Sequence, residues 1–130
     1  DTIALDFQQR HRRRIQMSSK SGKSFLLDLK EAVALLDNDV LELDDGTRVL
    51  VKAKAERVAD VMADDPRLFA RIAWHLGNRH LPTQILDGQL RIAYDHVIVD
   101  MVKGLGATVT IADAPFQPEG GAYAPAHHHE

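Results

Sequence analysis

The hydrophobic pattern of this chain changes period part-way along, from alternation to helical spacing. That change limits the fold to a sheet-forming first part and a mixed helix-and-sheet second part. Up to about residue 56 the apolar residues come in short alternating or continuous runs: Ile15 and Met17, Ser24 to Leu29, Val40-Leu41-Glu42-Leu43, and Val49-Leu50-Val51. The last two runs flank Asp44-Asp45-Gly46-Thr47, a hairpin turn in which Gly46 supplies the positive φ at no steric cost. Glu31 to Leu36 reads either as one helical turn or as an extended connector, and Asp37-Asn38-Asp39 marks a further turn. Residues 1–56 are expected to form a small all-β domain.

Between Lys52 and Ala63 the residues Val58, Val61 and Met62 suit a strand or a short helix. Asp64-Asp65-Pro66 then starts a helix, with a capping carboxylate ahead of a proline in the first turn. Leu68, Phe69, Ile72, Ala73 and Leu76 form its apolar face, and Gly77-Asn78 is its expected stop, since both residues tolerate the left-handed conformation. Asp87-Gly88 joins a hairpin of Thr83–Leu86 with Leu90–Ala93. Asp95 caps a second helix carrying Ile98, Met101, Val102 and Leu105, ended by Gly104 and Gly106 and followed by a strand over Ala107–Ala112. With a strand near Val58 the order is βαββαβ, a ferredoxin-like arrangement over residues 57–114. The expected fold class is therefore α+β, and residues 115–130, rich in proline and glycine and carrying His127, His128 and His129, read as a flexible tail.

The 130 residues, 45% of them hydrophobic, suffice for one ordinary domain or two small ones. No run approaches the roughly 18 apolar residues of a membrane span, and Asp1 to Phe7 shows no charged leader ahead of an apolar run. A cytoplasmic location without membrane attachment is expected. With no cysteine, thiolate sites and disulfides are excluded, so any metal must be held by nitrogen and oxygen ligands. The net charge of −3 gives no general reason to expect nucleic acid, and the local basic knot Arg10–Arg14 reads either as a patch facing an acidic partner or, as such runs more often are, as solvated side chains.

Seven histidines are the residues that point to a site: His11 in the basic knot, His75 and His80 at a helix end, His96 at a helix start, and three in the tail. Neutral imidazole suits nickel, copper and zinc rather than calcium or magnesium. His75 lies at the edge of an apolar stripe and is expected to be packed, whereas Trp74 points away from that stripe. Arg79, always protonated, has no ligand role.

The segment His75-Leu76-Gly77-Asn78-Arg79-His80, with Leu90-Arg91, Asp95-His96-Val97 and Pro115-Phe116-Gln117-Pro118-Glu119-Gly120-Gly121-Ala122-Tyr123, resembles the urease accessory nickel metallochaperone family. The resemblance implies a first domain similar to the peptide-binding domain of a co-chaperone and a ferredoxin-like second domain that binds metal. It implies a homodimer in which His80 and its symmetry mate hold one Ni(II), histidines among His127, His128 and His129 completing the shell. His96 matches a second family position associated with peripheral metal binding, although Tyr94 stands where members often carry another histidine. The implied partners are the urease apoprotein and the urease accessory proteins, including the GTPase. Zinc or copper can substitute for nickel in vitro, and exposed His80 together with the tail would permit dimers to pair around a shared metal.

An enzyme is disfavoured, because His-Glu-x-x-His, Gly-x-Ser-x-Gly and phosphate-loop patterns are absent. An RNA-binding sheet would need aromatic stacking residues that the expected strands lack. Metal storage or buffering, and peptide binding without metal delivery, stand as the rival readings.

Overall fold

The computed structural model describes residues 1–120 and divides the chain into two units, Asp1–Ala55 and Glu56–Glu130. The first unit contains β1 (Thr2–Leu5), α1 (Phe7–Arg10), β2 (Arg14–Ser18), β3 (Ser24–Asp28), β4 (Val40–Glu42) and β5 (Arg48–Ala53). The strands form a three-stranded sheet, β1-β5-β4, and a separate ribbon, β2-β3. β1 runs parallel to β5, whereas β4 and β5 are the expected hairpin, with Gly46 at φ 85°. Asn38, at φ 73°, makes the expected turn before β4.

Residues 31–36, left open as a helical turn or a connector, take neither helix nor strand. The unit also has two elements that the pattern does not announce. β1 is four residues long, and α1 is one turn capped by Asp6, whose carboxylate accepts from Gln9 N while Gln9 Oε1 accepts from Asp6 N. Ile3, Leu5, Met17, Leu27, Leu35, Val49 and Val51 are buried together as the core of this unit.

The basic knot is not uniformly solvated. Arg10 is 2% exposed, and its guanidinium donates to the carbonyls of Leu5 at 3.2 Å and Leu35 at 3.4 Å. Arg13 donates to the Leu29 carbonyl, while Arg12 and Arg14 are exposed as expected. In the same unit the Lys23 ammonium lies 2.6 Å from Asp45 and, with the Thr47 N–H, holds that carboxyl well below the usual carboxylate range. Such a pair favours the fold above the ordinary carboxylate range and loses its contribution as acid protonates Asp45. Salt screens it, because both groups are exposed.

The second unit contains β6 (Ala55–Met62), α2 (Pro66–Asn78), β7 (Gln84–Leu86), β8 (Gln89–Ala93), α3 (His96–Leu105) and β9 (Thr108–Pro115). The ambiguous stretch before α2 is thus a strand. The sheet order β7-β8-β6-β9 is that of a ferredoxin-like βαββαβ unit. Ala59, Val61, Leu90 and Ile92 face Ile72 and Leu76 of α2 and Ile98, Val99 and Val102 of α3. Alternation sends Asp60 and Arg91 to the opposite face, where they pair directly across the β6–β8 ladder.

Pro115 to Glu119, expected as the beginning of the tail, are instead held to the sheet. Phe116 is 1% exposed and Pro118 is buried. The Pro115 carbonyl accepts from Arg91 at 3.0 Å, Gln117 N donates to Gln84 Oε1 at 2.9 Å, and Glu119 N donates to the Thr83 carbonyl at 2.8 Å. The tail histidines His127, His128 and His129 lie outside the described residues. Among those described, no helix is long and apolar enough to cross a membrane.

Replacing Arg10 by alanine removes the donor of the Leu35 carbonyl and leaves Leu5 with the Lys54 N–H as its partner, so the first unit is expected to lose about 1 to 3 kcal/mol. Urea denaturation followed by circular dichroism measures this. A loss below about 0.5 kcal/mol would show that water reaches those carbonyls.

Candidate functional site

His80 owes its position to the way α2 ends. The helix does not stop at Gly77-Asn78; both residues remain helical, Arg79 is the C-cap, and the left-handed residue is His80 at φ 58°. His80 N donates to the Gly77 carbonyl at 2.9 Å and Leu81 N to the Leu76 carbonyl at 3.2 Å, the paired closing bonds of a Schellman motif. Leu81 packs against the core, as the hydrophobic residue of such a motif does.

α3 ends by the same device. Gly106 N donates to the Lys103 carbonyl and Ala107 N to the Val102 carbonyl, both at 3.0 Å, around Gly106 at φ 113°. Glycine is favoured there by its conformation, and a Cβ would also approach Leu68 Cδ2 at 3.3 Å, a tight contact that a few tenths of an ångström of side-chain movement would relieve. His80 therefore occupies in α2 the position that α3 gives to glycine. The left-handed conformation costs a residue with a Cβ roughly 1 to 2 kcal/mol, and the imidazole that bears this cost is exposed.

His96 is the first residue of α3, directly after Asp95, whose carboxylate caps the helix by accepting from Val97 N at 2.9 Å and Ile98 N at 3.4 Å. Asp95 is thus occupied as a cap, and His96 is exposed beside it. Tyr94 lies under the Arg57 guanidinium, 5.0 Å from ring centroid to Cζ, a cation–π contact that engages the ring. His75 is half-buried, its ring edge-on to Trp74 at 5.0 Å, and Trp74 is 62% exposed, as its place off the apolar stripe predicts. His11 stacks on Phe7 in the first unit.

The strand register relates the remaining histidines. Gln84 of β7 pairs with Arg91 of β8, and Ala93 of β8 with Val58 of β6, so β7 and β6 begin at the end of the sheet where β8 finishes. His80 precedes β7 by four residues and His96 follows β8 by three, which puts both at that one end. Glu119, bonded to Thr83, is fixed at the same end. Among the described residues, no three histidine, aspartate or glutamate side chains are gathered as a metal-holding group.

What the pattern of the sequence missed is the polar row Asp60–Arg91–Gln84 and the segment that it anchors. Arg91 is bidentate on Asp60, Nε to Oδ1 at 2.8 Å and Nη2 to Oδ2 at 3.1 Å. The available signal was one carboxylate inside the apolar run Val58–Met62, a residue that burial allows only with a partner.

On stability, His80→Gly is expected to exceed His80→Ala by about 1 kcal/mol, because only glycine takes φ near +60° without strain. Thermal melts of the two variants measure the difference, and equal melting temperatures would remove the argument for a strained position.

Comparison with known proteins places both units. Residues 1–54 match the model of the UreE urease accessory protein, N-terminal domain, and residues 56–130 that of the UreE urease accessory protein, C-terminal domain. The urease accessory protein UreE of Rhodopseudomonas palustris strain HaA2 is 57% identical over 127 residues, covering 98% of this chain and 59% of that protein. Its counterpart in Bradyrhizobium sp. strain ORS 278 is 56% identical over 130 residues, with coverage of 99% and 62%. That in Chelativorans sp. strain BNC1 is 51% identical, over all of this chain and 82% of the relative. The chain thus spans about six-tenths of the length of the first two relatives. With both domain models matched in order along it, the chain belongs to the UreE urease accessory protein family.

Proposed function

We propose that the chain carries Ni(II) to apo-urease as a homodimer, with His80 of each protomer holding the metal at the two-fold axis, and performs no catalysis itself. The observation that carries this reading is His80: an exposed imidazole kept at a left-handed helix end where the neighbouring helix uses glycine. A backbone cost without a packing return is accounted for if the side chain has a task of its own. Imidazole is the donor suited to late first-row metals. Because the described residues of one protomer gather no three donors, a metal at His80 draws its other ligands from elsewhere. A second copy supplies an equivalent imidazole, as any residue near a two-fold axis meets its own mate.

His127, His128 and His129 are the proposed exchangeable ligands, and His96 a peripheral one on the same end of the sheet. Trp74, Ile85 and Val97, each about 60% exposed, leave apolar surface on the second unit for a partner copy to cover. An incomplete shell suits a carrier, since a client's ligands can enter it. The proposed clients are urease and its accessory GTPase, in the cytoplasm; nucleic acid and membrane have no part. Zinc or copper would bind the same donors in vitro.

A storage role differs only in lacking transfer, so the discriminating assay is nickel-dependent activation of apo-urease by the loaded protein. A second reading, peptide docking, is favoured by one feature of the first unit. A groove of about 750 Å³ runs between β3 and β4, strands of different sheets. The bonds Ser19–Lys23 and Leu29–Arg13 set the alternation that turns the backbone groups of Leu26 outward, and Val51–Asp39 with Leu43–Thr47 does the same for Val40. Both edges are thus open to an added strand. Leu26→Arg is expected to abolish binding of an extended apolar peptide at this edge, and unchanged binding by fluorescence anisotropy would discard the reading.

Nickel titration calorimetry on the intact chain is expected to show one tight site per dimer, lost in His80→Ala while the dimeric mass remains. Since a ligating imidazole must be deprotonated, affinity should fall as pH drops through the ordinary histidine range, about 6.5. Retention of the tight site in the variant would refute the assignment.

A further inference from the structure

The two strand edges that border the groove of the first unit do not offer the same number of backbone groups. In the β2–β3 ribbon the bonds Ser19–Lys23 and Leu29–Arg13 fix the alternation. Phe25 and Leu27 therefore turn their N–H and C=O groups to β2, and Ser24, Leu26 and Asp28 turn theirs away from it. On β4 the same count leaves Val40 and Glu42. β3 is the longer template, and a strand laid along it lies in the groove with β4 on its other side.

Such a strand shows one set of side chains to the core and the other to the outside, because side chains alternate. On the core side it meets Phe25, Leu29, Leu41 and Leu43, which are partly buried against the core of the unit. On the outer side its neighbours are Leu26 and Val40, 46% and 55% exposed, with Asp28 two residues beyond the first and Glu42 two beyond the second. The lining carries the carboxylates Asp28, Glu42, Asp44 and Asp45 against the ammonium of Lys23, which Asp45 already holds. Among the described residues Glu42 and Asp44 make no ion pair, although Arg48 stands opposite Glu42 in the ladder. Asp28 has a contact of 3.8 Å with Arg13, and both side chains are half-exposed. The groove is thus apolar within and anionic at its outer rim.

We infer that this groove takes an extended segment of another protein in which apolar residues alternate with lysine or arginine. The inference rests on the peptide-docking reading of the first unit and names the chemistry of the docked segment. Its apolar residues cover Phe25 and Leu41, while the long cationic side chains lay their methylenes along Leu26 and Val40 and end at Asp28 and Glu42. Opposite charges on neighbouring strands attract and like charges repel. Carboxylates on an open edge also deter acidic strands from pairing with it, and a second copy of the same edge is such a strand. One pattern of charge both protects the edge and selects its occupant.

The test uses fluorescein-labelled peptides of about seven residues, enough to span the five of β3, in which valine alternates with lysine, glutamate or serine. Binding to the full 130-residue chain is followed by fluorescence anisotropy, with circular dichroism on every variant. The lysine peptide is expected to bind about tenfold more tightly than the serine peptide, and the glutamate peptide more weakly than either. Glu42→Lys is expected to weaken the lysine peptide about threefold to tenfold, whereas Asp100→Lys, the same change of net charge on α3, leaves it unaltered. Methylating the amides of that peptide that would donate to β3 is expected to abolish binding. Equal affinity for the lysine and glutamate peptides, equal loss in Glu42→Lys and Asp100→Lys, or binding that survives methylation would overturn the inference. If the serine peptide binds as tightly as the lysine peptide, the docking reading stands and the charge selection falls; if no peptide binds, both fall. A groove already filled by a second copy would show as no peptide binding to a dimer that Leu26→Arg separates, which also overturns the inference. If Glu42→Lys, opposite Arg48, fails to fold, Glu42→Gln decides in its place, since it removes the charge and keeps the shape.

Discussion

The fork of Arg91 between the Asp60 carboxylate and the Pro115 carbonyl joins the central strands of the second unit to residues 115–119. A carboxylate as buried as Asp60 is tolerable only with its oxygens satisfied, and a bidentate guanidinium satisfies both. The pair also fixes register. Slipping β6 against β8 by one residue would turn Asp60 into the apolar layer beneath α2 and α3 and bring Val61 or Ala59 to the open face. Hydrophobic alternation and charge pairing thus demand the same alignment. The two faces of the sheet are then covered differently, one by helices over aliphatic side chains and the other by a polar row beneath residues 115–119.

The two helices of this unit end alike in backbone and unlike in side chain. Gly106 meets a conformational demand, its positive φ, and carries no chemistry. His80 adopts a conformation that glycine would take more cheaply and keeps an imidazole in water. Strain by itself assigns no function, and histidine is among the residues that tolerate this region best. The weight of the comparison comes from its setting: the same pair of closing hydrogen bonds, in the same unit, made once around glycine and once around an exposed imidazole.

Much of the fold was legible because its signals are local. The Asp65 and Asp95 caps, the turns at Gly46 and Gly88 and the apolar faces of α2 and α3 each depend on residues within one or two turns of chain. β1 and α1 escaped because a four-residue strand and a single helical turn have too few periods to show. The stop at Gly77-Asn78 was misplaced for a related reason. Propensity nominates the residues most tolerant of positive φ, but the helix ends where Leu81 can reach the core, and that puts His80 at the turning residue.

The sequence by itself determined most of the strands and helices, the Asp65 and Asp95 caps and the turns at Gly46 and Gly88, since each follows from residue type and near-neighbour spacing. Tertiary structure alone decided which charges are buried and what they hold. Arg10 looks like part of a solvated cluster until Leu5 and Leu35 bring their carbonyls to it, the second from 25 positions away. Arg91 and Asp60, 31 positions apart, meet only through the β6–β8 ladder, and Pro115 to Glu119 are ordered only because the row across that ladder has atoms to offer them. His80, His96 and Glu119 share one end of the sheet for the same reason: antiparallel pairing brings the start of one strand beside the finish of another, a relation that no local pattern of residues contains.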